Sequence, residues 1–230
     1  NGGVLNGDAS GNWGSDCIEV IGQGSSITGR VRGDSQEDCV RVNGGHIGEA
    51  KLGSGRDCLV AIDATIGSST TNVAVDGESQ VDCFIISNTI IDGTVTGSSD
   101  NDCIEVTSSS QIDGDLDGSN GDDIVFLQES EVTGDVNGFN GNDIVAVLDS
   151  VVNGDVDGFN GDDEMTVTGS SIGGDVTGFN GADEIIVCDN SIGGSFDAGW
   201  GTDVCASDLD AAALTRCESK LECYSFDPKP

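Results

Sequence analysis

From residue 111 to residue 198 the apolar positions of the chain fall into a repeating frame of about 20 residues. Read from Ile112, the unit is I-D-G-D-L-D-G-S-N-G-D-D-I-V-F-L-Q-E-S-E, and it restarts at Val132, Val152 and Ile172. Within it Ile112, Gly114 and Leu116 share one parity, and Asp113, Asp115 and Asp117 share the other. A period of two is the period of a strand, so the apolar set points inward and the acidic set outward. A second alternation follows the Asn-Gly turn, with Val125 and Leu127 inward and Ile124 and Phe126 outward. A strand pattern that recurs in so short a unit cannot close a core within it. It predicts a solenoid in which each coil buries its neighbour.

One Asp marks each coil: Asp16, Asp38, Asp57, Asp82, Asp102, Asp123, Asp143, Asp163, Asp183 and Asp203. Leu5–Gly11 and Ile27–Gly33 obey the same grammar, so about ten coils cover residues 1–203. The extra residues near Gly67–Val73 read as a loop inserted into one coil. At about 4.8 Å per coil the stack would be roughly 50 Å long. Ser207-Asp208-Leu209-Asp210 resembles a capping box that opens a helix through Ala211–Leu214. The expected fold is therefore an all-β parallel β-solenoid, with 204–230 as a short, partly helical cap. Cys205, Cys217 and Cys223 would staple that cap.

Charge narrows the partners. The 230 residues carry a formal charge of −34, with no Lys, Arg or His between Arg56 and Arg216. Nucleic acid is excluded as a direct partner, because phosphate binding needs basic residues. No apolar run is long enough to span a bilayer. Cations, a mineral surface or basic partners fit the charge. Nine cysteines without a C-x-x-C pair suggest an oxidising compartment, outside the cell or on its surface. Asn1 is not an initiator Met, so the chain is expected to be a processed form or an excised piece.

Four constellations carry possible chemistry. Gly138-Phe139-Asn140-Gly141-Asn142-Asp143-Ile144-Val145-Ala146 resembles the calcium-binding nonapeptide of the RTX family, as do Gly158–Thr166 and Gly178–Ile186. The resemblance implies a parallel β-roll with Ca²⁺ held between coils, with Asp123, Asp143, Asp163 and Asp183 as ligands. Here the motif fills one turn per coil, and the other turn, Thr168-Gly169-Ser170-Ser171, lacks it. The alternative is that each Asp accepts hydrogen bonds from the N–H groups of its own turn.

Second, Asp115, Asp135, Asp155 and Asp175 stack at one outward position. Carboxylates about 5 Å apart would repel by roughly 1 kcal/mol per pair, which bound cations would relieve and which would otherwise raise their pKa values. Third, Cys17, Cys39, Cys58, Cys83 and Cys103 each follow a marker Asp and form one outward column, while Cys188, Cys205, Cys217 and Cys223 lie at the other end. Disulfides are expected, between neighbouring coils within the column, with one member left over; a soft metal is the alternative. Fourth, Arg30, Arg32, Arg41, Lys51, Arg56 and His46 gather in the early coils, where polysaccharide-modifying β-helix chemistry would need its base and cations. Outward Thr is too scattered for an ice-binding ladder.

The function these patterns favour is an extracellular structural rod: a filament subunit, matrix component or adhesin stalk. Its partners would be other copies of itself, or matrix and cell-surface components. An acidic calcium- or mineral-binding protein is second, and an enzyme acting on polysaccharide third.

Overall fold

The computed structural model describes residues 2–68, 72–207, 214–217, 219–221 and 223. The solenoid is present, and among the described residues every pairing between strands is parallel. In the regular block each coil contributes three strands, as in Gln111–Ile112, Leu116–Asn120 and Ile124–Gln128. Each pairs in register with its counterpart in the next coil: Ile112 with Val132, Leu116 with Val136, Ile124 with Ile144. The third strands stack into one sheet of 11, and the first and second strands together form another of 19.

The run expected as one strand from Ile112 to Gly118 is thus two strands with a corner at 113–115. At this corner the carboxylate of Asp115 reaches along the rod and accepts the N–H of Asp135 in the next coil. In the second and third coils Ser26–Ser35 and His46–Ser54 are each single strands, and their mutual register shifts between Ile27 and Arg30, at the corner position. The insertion expected near Gly67–Val73 falls between Thr65–Gly67 and Val73–Ser79, and residues 69–71 lie outside the described set.

The core is a narrow column of branched side chains. Ile112, Leu116, Val125 and Leu127 are fully buried, as are Val132, Val136, Val145 and Val147 one coil later. Burying each contributes about 2 kcal/mol. β-Branched residues suit this column because their stiff rotamers pack on a pleated surface.

Past residue 203 both sheets continue. Val204–Ser207 pairs with Glu184–Val187, Leu214–Thr215 with Phe196–Asp197, and Ser219–Leu221 with Val204–Ala206. Two disulfides tie this segment down: Cys205–Cys217 and Cys188–Cys223, with Cα atoms 5.9 and 6.0 Å apart. The helix expected over 208–214 lies outside the described residues except for Leu214, which opens a strand. No helix among the described residues is long and apolar enough to cross a membrane.

Candidate functional site

The marker aspartates form one continuous ladder inside the solenoid. The backbone N–H of Asp16 donates to Oδ1 of Asp38 at 2.7 Å, that of Asp38 to Asp57 at 2.7 Å, and that of Asp57 to Asp82 at 2.8 Å. The ladder runs on through Asp102, Asp123, Asp143 and Asp163 to Asp183 and Asp203. Each carboxylate therefore serves the N–H of the preceding coil, where the sequence suggested its own turn. The second oxygen, Oδ2, of every member from Asp16 to Asp183 is buried without a hydrogen-bond partner among the described residues. It lies against the glycine that opens the turn motif: a Cβ on Gly97, Gly118, Gly138, Gly158 or Gly178 would collide with it. That glycine is a clearance residue for the ladder.

Burial pushes these carboxyls upward, opposed in each case by the donated N–H. Asp82 rises to about 8, Asp102 and Asp163 to about 7, and Asp57, Asp123, Asp143 and Asp183 to about 6. Asp123, Asp143, Asp163 and Asp183, the expected calcium ligands, are at most 3 % exposed. Among the described residues no three His, Cys, Asp or Glu side chains converge as a metal cluster.

A second inward ladder holds the opposite turn. The N–H of Thr89 donates to Ser110 Oγ, Ser110 to Ser130, Ser130 to Ser150 and Ser150 to Ser170, at 3.1–3.2 Å. The hydroxyls of Ser130, Ser150 and Ser170 donate in turn to carbonyls two residues back. The sequence repeats this serine visibly, yet its role needs the neighbouring coil's N–H to be seen.

The outward acidic column is held by hydrogen bonds from the next coil's backbone. Oδ1 of Asp115 accepts the N–H of Asp135 at 3.0 Å, Asp135 that of Asp155 at 2.8 Å, and Asp155 that of Asp175 at 2.7 Å. Asp175 accepts both the N–H and the hydroxyl of Ser195, and these hold its pKa below the ordinary carboxylate value. The expected upward shift is thereby reversed at Asp175, because donated hydrogen bonds favour the ionised form. Beside this column, Asp117 accepts from Asn137 Nδ2 at 2.8 Å. Burial raises Asp117 to about 6 and Asp157 to about 7.

Two further columns escaped the reading of the sequence. Asn140, Asn160 and Asn180 each donate Nδ2 to the preceding Asn Oδ1, beginning at Asn120, at 3.0–3.1 Å. Phe139, Phe159 and Phe179 stack with ring centroids 4.8 and 4.7 Å apart. These three sit at φ of 70–79°, a left-handed conformation that costs a non-glycine residue about 1–2 kcal/mol. The ring stack offsets it by roughly 0.5–1.5 kcal/mol per pair. Recurrence at the coil period was the available signal for both columns.

The thiol column forms as expected from position: Cys17, Cys39, Cys58, Cys83 and Cys103 are register partners in successive strands. All five are free thiols. Arg30, Arg41 and Lys51 of the early coils are engaged in ion pairs across coils. Arg30 Nε meets Glu49 at 2.9 Å, Lys51 Nζ meets Asp76 at 2.8 Å, and Arg41 meets Glu19 at 3.1 Å. Arg30, Arg32, Lys51, Asp34 and Glu78 line a cavity of about 280 Å³, and His46 is not among its walls. A groove of about 810 Å³ runs past Gln23, Asn43, Asp63, Asn88 and Gln111, where Asp63 Oδ1 accepts from Asn88 at 2.5 Å.

No protein-family model, curated protein or solved structure matches this chain.

Proposed function

We propose that the chain is an extracellular or cell-surface structural rod, serving as a filament subunit, matrix component or adhesin stalk. The observation that carries this reading is the use of its polar residues. Aspartate, serine and asparagine columns, which could serve chemistry elsewhere, here bind one coil to the next. A body stitched along its whole length resists bending and local opening, which suits a spacer or scaffold. The two bridges closing the last coils fit an oxidising compartment. Fractionation of the source organism, with thiols alkylated before lysis, tests this. The rod reading expects the chain outside the cell, with both bridges intact. Recovery from the cell interior with all nine cysteines reduced would overturn it.

A second reading, uptake of calcium or a mineral surface, is favoured by Asp115, Asp135, Asp155 and Asp175. They stand at coil spacing with only Oδ1 engaged by the backbone. In this reading the divalent ion lies on the flank and the buried marker aspartates remain backbone acceptors. An ion that binds only folded protein raises the melting temperature. A melt unmoved by millimolar calcium after chelation would remove this reading.

A further inference from the structure

The five thiols of the column form no disulfide between coils. In-register parallel strands keep successive Cα–Cβ vectors parallel, so neighbouring Cβ atoms stay near the strand spacing of about 4.8 Å. A disulfide needs Cβ atoms about 3.5–4.5 Å apart. Closing one would require pinching two coils together against the Asp ladder, which begins one residue earlier at Asp38, Asp57 and Asp82. The thiols are nonetheless neighbours: Cys17, Cys39, Cys58, Cys83 and Cys103 are register partners in successive strands. Cys17 is exposed and the other four are half-buried, so all can be reached from solvent. A shallow groove of about 340 Å³, lined by Glu37, Arg56, Val81, Cys83 and Cys103, opens beside the column.

Soft thiolates select soft cations, above all Cu(I). A two-coordinate ion between two sulfurs needs no closed cage, only two thiolates about two metal–sulfur bonds apart. At about 2.3 Å per bond, as for thiolate on zinc, that span is close to the coil spacing. We propose that Cys17, Cys39, Cys58, Cys83 and Cys103 bind a chain of soft monovalent metal ions of the Cu(I) class, each bridging the sulfurs of two successive coils. Five thiols in a row offer four such bridges, one for each adjacent pair. Loading them fully deprotonates all five, so five protons leave as four ions enter. An ordinary thiol is protonated at neutral pH, so the protons are present to be released.

The test uses Ag(I), which has the same preference without redox chemistry, on the full chain with its two tail bridges intact. Ion uptake is counted by native mass spectrometry and proton release by titration. Wild type should take up four ions. Cys103→Ser, at the end of the column, should lose one. Cys58→Ser, in the middle, should lose two, because it removes a partner from both neighbours. Circular dichroism confirms that each variant keeps its β-sheet. Equal losses for the two variants would mean independent single-thiol binding and would overturn the proposal. So would uptake unchanged by either variant, no uptake at all, or peptide mapping that finds column cysteines bridged to one another in the protein as produced.

Discussion

The regular block from Ile112 to Phe196 and the early coils before it share one interior and differ outside. Both bury branched residues at matching positions, and the Asp ladder passes through both without a break. On the outside the block repeats Asn, Asp and Phe columns, whereas the early coils carry thiols and ion pairs. The fold is thus specified by the inward set and the ladder, which leaves the outward columns free to diverge. Coil length tolerates variation too. Asp57 and Asp82 are 25 residues apart, and the N–H of one still donates to the carboxylate of the other.

The largest effect should come from glycine. In the block, a Cβ on Gly161 would collide with the carbonyl oxygen of Gly141, at a φ of 137°. In the first coil Gly14 has a φ of 116° and nothing within 4 Å. Gly161→Ala should cost about 3 kcal/mol or more, because two coils must separate. Gly14→Ala should cost about 1 kcal/mol, from conformation alone. Urea unfolding measures both, and equal costs would break the comparison.

Next comes the ladder itself, which should be equivalent in both regions. Asp143→Ala leaves the buried N–H of Asp123 without its acceptor, and Asp57→Ala does the same to Asp38. Each should cost about 2–3 kcal/mol. Values within about 1 kcal/mol of each other in the same urea assay are expected, and a neutral Asp57→Ala would confine the ladder's role to the block.

Much of this was legible in the chain. The period gave the coils, parity gave the core residues Val125 and Leu127, and the recurrent Asp gave the column. Direction was not legible. Spacing places Asp143 and Asp135 in columns but does not say that one serves the coil before it and the other the coil after it. That depends on where the neighbouring N–H groups point. Treating Asp115–Asp175 as bare charges followed from seeing the carboxylates without those donors. The Phe stack was hidden by the left-handed conformation at Phe139, which the RTX-like pattern fills with glycine.

A smaller and opposite-seeming effect concerns acid. The ladder carboxyls have folded pKa values raised to about 6–8, above the unfolded value near 4. Their ionisation therefore destabilises the fold fully above about pH 8, and the penalty is relieved as pH falls through the raised values. Asp175, with its lowered pKa, acts oppositely and loses its contribution only on stronger acidification. Calorimetry in metal-free buffer should show a higher melting temperature near pH 5.5 than near pH 8, each kcal/mol appearing as about 2–4 °C. A melting temperature that falls steadily over that interval would contradict the buried ladder.

Amide hydrogen exchange tests the ladder most directly. In ordinary turns, N–H groups exchange quickly because water reaches them. Here the turn amides of Asp38, Asp82, Asp123 and Asp163 donate to buried carboxylates in the next coil. All four should be protected as strongly as the strand amides of Val125 and Val145, in the early coils and in the block alike. Rapid exchange at these aspartates, beside protected strands, would show that the ladder does not hold the coils together.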